Sequence, residues 1–213
     1  GAGADPPEPG GCGAVRAAAC VRAASDVSVE RHRVASVDLI GWSWGAQGAG
    51  VVAADPASRV RRVVLYGFNP SSRYDWLEAP GEPTRWTTVE GIESDFVPRC
   101  AVPGVSDRLV EAVLASDTSV PSGPLLDFIE HLPLVDPARI ECPVLLIAGE
   151  FELSPPPGLD PALAEFFDAR RADLGDFGAR CDGTLVTVRG GGHAVHFERG
   201  RQAWLDAVVG FLE

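Results

Sequence analysis

Four short apolar runs set the limits on how this chain can fold. They are ASVDLIG (35–41), RRVVLYG (61–67), CPVLLIAG (142–149) and GTLVTVRG (183–190), and each closes on a glycine. Runs of this length, rich in Val, Leu and Ile and lacking a 3.6-residue period, suit strands buried on both faces. Helical patterns lie between and after them. WGAQGAGVVAA (44–54) is stopped by Asp55-Pro56, PALAEFFDARRADLG (161–175) precedes the fourth run, and RQAWLDAVVGFLE (201–213) follows it. The last pattern puts Trp204, Leu205, Val208, Val209 and Leu212 on one face. An Ala-rich stretch from Ala14 to Val29, carrying Arg16, Arg22 and Asp26, predicts a further helix. Strands alternating with helices predict an α/β fold, a mostly parallel sheet with helices on both faces.

Residues 71–139 break that rhythm. They scatter Pro and Gly around Trp76 and Trp86 and hold two short helical patterns, DRLVEAVLA (107–115) and LLDFIEHL (125–132). They are expected to form an inserted subdomain, leaving 1–70 and 140–213 as the core. The opening GAGADPPEPGGCG (1–13) has no periodicity and is expected to be loop.

The first apolar run leads directly into GWSWG (41–45), and a helical pattern follows directly. A G-x-S-x-G pattern becomes meaningful in this strand–turn–helix setting. A sharp turn holds the middle residue in a strained backbone conformation, so close neighbours at Gly41 and Gly45 must be small. Ser43 then stands at a helix N-terminus, where negative charge is favoured. The backbone N–H of Trp44 is in position to receive an oxyanion.

A serine hydroxyl is a poor nucleophile without a base. Of His32, His131, His193 and His196, the best candidate is His193, in RGGGHAVHFERG after the fourth run. His196 is the runner-up, whereas His32 and His131 are expected to be structural or surface residues. The base needs an acid to fix its tautomer. Glu152, third past Gly149 in EFELSPPP, matches that role, with Glu150 and Asp160 as alternatives.

These motifs, DLIGWSWGAQGAG, PVLLIAGEFELSPP and GGGHAVHFERGR in the order Ser, acid, His, together with RVRRVVLYGFNP, resemble the α/β-hydrolases with serine nucleophiles. The resemblance covers nearly all of 34–213. The GWSWG form with LYG-x-x-P downstream is similar to a group of bacterial esterase-like hydrolases in which an insert forms a lid over the acyl pocket. It implies Ser43 as nucleophile, Glu152 as acid and His193 as base, with 71–139 as lid. Glu rather than Asp at the acid position departs from the usual pattern. A second departure is larger. The family carries about four strands before the nucleophile strand, one ending in a loop that donates a second oxyanion N–H. Only 42 residues precede Ser43, and no Met is present even at position 1. The resemblance therefore implies a core lacking its N-terminal strands, with an exposed sheet edge that a second copy could cover as a homodimer.

The expected activity is hydrolysis of a carboxylic ester or related acyl bond on a small-molecule substrate, with no metal or organic cofactor. Thioester, lactone, peptide and C–C hydrolysis and acyl transfer share the same triad. A dehalogenase or epoxide hydrolase of this family would carry Asp at position 43. The alternative is a non-catalytic ligand-binding member, or a remnant lacking a complete oxyanion hole. Trp42, Trp76 and Trp86 are candidates to line a pocket, with core packing as the competing role for each. A net charge of −12 argues against nucleic-acid binding. No run reaches the roughly 18 apolar residues of a membrane span. No secretory leader is read, so a cytoplasmic location is expected. Five scattered cysteines without a C-x-x-C pair are expected to be reduced thiols.

Overall fold

The computed structural model describes residues 12–82, 84–86, 102, 104–115, 119–154 and 161–213. All four apolar runs are strands of one parallel sheet: β1 (Val37–Trp42), β2 (Val60–Tyr66), β5 (Val144–Gly149) and β6 (Thr184–Val188). The order across the sheet is β1-β2-β5-β6. The pairing puts Trp42 beside Tyr66, Tyr66 beside Ile147 and Gly149 beside Val188. All four strands therefore end at nearly the same level, and the loops that leave them emerge on one edge of the sheet. In open parallel sheets that edge is where ligands bind.

Period-two alternation divides the core between the faces of the sheet. Val63 and Leu65 of β2, with Val144, Leu146 and Ala148 of β5, point to one face. There they meet Ala46, Ala49 and Ala53 of α2 (Trp44–Ala53) and Leu174 and Phe177 of the helix Pro161–Arg180. Val64, Tyr66, Leu145 and Ile147 point to the other face, against Val208 of the helix Arg201–Leu212. Each face thus buries its own cluster, which is why β2 and β5 read as continuous apolar runs rather than alternating ones. Helix α1 (Ala14–His32) turns Ala14, Ala18, Ser25 and Val29 inward, and it packs on α2. The small side chains on both partners let the two backbones approach closely. No helix among the described residues is long and apolar enough to cross a membrane.

Three expectations need correction. The C-terminal helix docks through Trp204, Ala207, Val208, Phe211 and Leu212, while Leu205 and Val209 are 40% and 50% exposed. The apolar face is rotated from the predicted one because Ala207 and Phe211 share the docking side. LLDFIEHL is not one α-helix. A short helix, Gly123–Leu126, runs into a wider π-helical turn, Asp127–His131, closed by Leu132 N–H donating to Asp127 O at 3.0 Å. Asp127 is buried there and accepts Ala14 N–H from across the fold. The helix beginning at Pro161 also runs to Arg180, past the predicted end at 175.

Within 71–139 the described elements are an antiparallel pair, β3 (Thr84–Trp86) and β4 (Ser119–Pro121), α3 (Val105–Leu114) and a 3-10 turn (Pro137–Arg139), besides the short helix and the π-turn. The rings of Tyr74 and Trp76 meet Phe166 of the helix Pro161–Arg180 at centroid distances of 5.2 and 4.8 Å, and Tyr74 also stacks on Phe128 at 5.2 Å. Trp76 is 50% exposed, so it packs at the surface rather than in the core. The side chain of Trp86 lies outside the described residues, as do Cys100, Asp160 and residues 1–11 of the predicted loop. Cys12, Cys20, Cys142 and Cys181 are free thiols. β1 and β6 are the edge strands among the described residues, with Ile40 49% and Leu185 37% exposed, so of the four runs expected to be buried on both faces only β2 and β5 are.

Candidate active site

Ser43 sits between the end of β1 and the start of α2 with φ 56° and ψ −126°. A non-glycine residue at positive φ is strained, and such strain persists only where surrounding contacts hold it. Here Ser43 N–H donates to Tyr66 O at 2.8 Å, and Ser43 O accepts from Ala46 N–H at 3.0 Å. The turn is so tight that a Cβ at position 41 would lie 2.6 Å from both Ala46 Cα and Gly45 O. Gly41 is therefore required, because those atoms are backbone and cannot give way. A Cβ at Gly45 would meet nothing within 4 Å. Of the two glycines read as necessary, only Gly41 is required by space.

His193 and Glu152 approach Ser43 from the ends of β6 and β5. His193 Nε2 lies 2.8 Å from Ser43 Oγ, and His193 Nδ1 lies 2.7 Å from Glu152 Oε1. Glu152 is buried and also takes Arg170 Nη2 at 2.8 Å and Gly149 N–H at 2.8 Å. Burial pushes a carboxyl toward its neutral form. The Arg170 guanidinium, His193 and the Gly149 amide outweigh that push and hold Glu152 down to about 2. An ionised carboxylate only accepts hydrogen bonds. Nδ1 of His193 therefore carries the hydrogen, and Nε2 is left free to accept from the Ser43 hydroxyl.

The competing candidates are used elsewhere. Glu150 Oε2 accepts from Gly190 N–H at 2.7 Å. His196 packs among Trp42, Tyr66, Phe197 and Trp204, with Nδ1 3.4 Å from Tyr66 Oη. Burial, with His193 nearby, pushes its ring down to about 4, so it is neutral near pH 7. His131 pairs with Asp127 at 3.3 Å, and His32 is an exposed residue at the end of α1. Among the described residues, no group of three or more His, Cys, Asp or Glu is arranged to hold a metal.

The loop carrying His193 is tied down at nearly every backbone group. Gly191 O accepts from Phe151 N–H at 2.9 Å, and Gly192 N–H donates to Glu198 Oε2 at 2.6 Å. Glu198 is fully buried, and burial raises its carboxyl. The ring of His193 passes through space that only glycine leaves open. A Cβ at Gly67, which has φ +60°, would stand 2.8 Å from His193 Cε1.

Several contributors escaped the sequence reading. Arg170 carries a signal that was available: it lies four and seven residues before Leu174 and Phe177, on the apolar face of its helix. A charge on that face calls for a buried partner. Asp127 takes Ala14 N–H at 2.6 Å and Trp44 Nε1–H at 2.7 Å, and nothing in LLDFIEHL distinguishes it from a solvent-facing aspartate.

The fold is similar to that of several solved hydrolases. One is E-2-(acetamidomethylene)succinate hydrolase, at TM-score 0.59 and 21% identity, covering 100% of this chain and 77% of that one. An enol-lactonase from Burkholderia xenovorans matches at TM-score 0.56 and 18% identity, covering 100% and 76%. A probable hydrolytic enzyme from Pseudomonas aeruginosa matches at TM-score 0.63 and 21% identity, covering 95% and 70%. At these identities the likeness shows the fold alone. No curated protein sequence matches the chain. The family model described as the alpha/beta hydrolase family matches residues 1–207, and the chain belongs to that family.

Proposed function

We propose that this hydrolase is a serine hydrolase that cleaves a carboxylic ester or related acyl bond through an acyl-enzyme on Ser43. The observation that carries the reading is the unbroken hydrogen-bonded run from Ser43 Oγ through His193 to Glu152, starting at a serine of positive φ. His193 Nε2 takes the hydroxyl proton as Oγ attacks the acyl carbon. The carbonyl oxygen gains the electron pair and is received by Trp44 N–H, the first amide of α2, which has no partner within its own helix. As the tetrahedral species collapses, the protonated His193 gives its proton to the leaving alcohol. Water then repeats the sequence on the acyl-enzyme. Its proton passes through Nε2, and the released acid frees Ser43 Oγ. Glu152 stays ionised throughout and stabilises the imidazolium across Nδ1. We further assign residues 71–139 as a lid over the acyl pocket. Support comes from Asp127, which bonds the segment directly to Trp44 beside the nucleophile.

Steady-state hydrolysis of nitrophenyl esters of graded acyl length tests the reading. It expects turnover that Ser43→Ala abolishes and that depends on acyl length. Equal rates in wild type and Ser43→Ala would overturn it and favour a binding protein built on the same fold.

A further inference from the structure

The residue before the nucleophile has a hydrogen-bonding role of its own. Trp42 Nε1–H donates to the backbone carbonyl of His193 at 2.8 Å. Tyr66 Oη–H donates to the same carbonyl at 2.5 Å. A carbonyl oxygen has two lone pairs, and both are taken. The phenol oxygen also accepts from Val195 N–H, while the backbone carbonyl of Tyr66 receives Ser43 N–H. Trp42 and Tyr66 are neighbours in the sheet register, with rings stacked at 6.3 Å. The path from Ser43 through Trp42 to the His193 carbonyl, and back through the imidazole to Ser43 Oγ, is a closed ring of covalent and hydrogen bonds.

We propose that Trp42 and Tyr66 are positioning residues, which clamp the carbonyl of His193 and so hold the Nε2 to Oγ distance in register. The inference rests on Ser43 and His193 being nucleophile and base. His193 follows Gly190, Gly191 and Gly192, which have no side chains with which to hold themselves. Bonds to Glu150, Phe151 and Glu198 hold those glycines, and at His193 itself the backbone carbonyl is held by Trp42 and Tyr66. Packing alone would not ask for these side chains. Phe would fill the place of Tyr66, which is buried against apolar residues. Its hydroxyl is kept in the donor form, since burial and the charges of Glu152 and Glu198 push the phenol upward.

The test removes the donors and leaves the rings. Tyr66→Phe does this at one position. At the other, benzothienylalanine in place of Trp42 keeps the bicyclic shape and loses only the N–H, with Trp42→Phe as a simpler companion. Each single change is expected to lower kcat about ten-fold, and the pair about a hundred-fold, with KM nearly unchanged, because a shift of about 1 Å in a reacting group has effects of that order. A second readout does not need turnover. The low-field proton resonance of His193 Nδ1–H should exchange with solvent faster in each variant. Variants that lose melting temperature while keeping kcat per folded molecule, with unchanged proton exchange, would overturn the clamp. If the wild-type protein turns over no ester, or keeps its turnover in Ser43→Ala, the serine hydrolase reading fails. The exchange rates then still decide whether Trp42 and Tyr66 hold His193 in place.

Discussion

Glu152 is the residue on which most of the site's electrostatics converge. It is buried, yet it stays ionised because Arg170 and His193 supply charge and Gly149 supplies an amide. Replacing it by Gln removes the negative charge that stabilises an imidazolium, and kcat is expected to fall on the order of 10⁴-fold. The same change strands Arg170 without its anion, and losing one partner of a buried pair costs about 3–5 kcal/mol. The two effects separate in Glu152→Gln/Arg170→Met, which should recover folding stability in urea but not kcat. Recovery of both would remove Glu152 from the catalytic role.

Acid sensitivity follows from two residues. The Glu152 carboxyl is lowered from 4.5 to about 2 on folding. Its contribution to stability is complete above about pH 4.5 and is lost as the pH falls toward 2. The His196 ring is lowered from 6.5 to about 4. Below about pH 6.5 the unfolded chain therefore takes up a proton that the folded protein refuses, and stability falls further until about pH 4. Urea midpoints should drop as the pH is lowered from about 6.5 to 4, and His196→Phe should flatten that part of the curve. A curve flat over this interval in wild type would contradict the neutral, half-buried His196.

At the scale of elements, the turn after β1 makes a paired prediction. Gly41→Ala places a methyl 2.6 Å from backbone atoms of Gly45 and Ala46 and should prevent the turn from forming. Gly45→Ala meets open space in the first turn of α2 and should stabilise the protein by about 0.5 kcal/mol through helix propensity. Thermal unfolding of the two variants checks both, and equal destabilisation would show that the motif's glycines act alike after all. The strands and this turn were legible because apolar runs closed by glycine carry their own punctuation. The docking face of the C-terminal helix was less so. Counting apolar residues cannot tell Leu205 from Ala207, and tertiary packing decides which of them turns inward. The pair Ser43 and His193 could be read from motifs and chain order. The tethers Trp42, Tyr66 and Asp127 could not, because each bonds to a partner between 83 and 151 residues away that leaves no local pattern.

At the scale of the whole molecule, Asp127 joins parts distant in sequence. It links the 71–139 segment to the first amide of α1 and to Trp44 at the turn. Asp127→Ala leaves the buried Ala14 N–H and the half-buried Trp44 Nε1–H unpaired and should cost about 3 kcal/mol in urea unfolding. Hydrogen exchange should rise at residues 123–131 and at the start of α1 together. Faster exchange confined to 123–131 would mean that the segment is held by its aromatic contacts with Phe166 and not by this carboxylate.

If Ser43, His193 and Glu152 form a working nucleophile, intact-mass analysis after exposure to a fluorophosphonate should show one covalent adduct per chain in the wild type and none in Ser43→Ala. A folded wild-type protein that acquires no adduct, or an adduct that persists in Ser43→Ala, would contradict that reading.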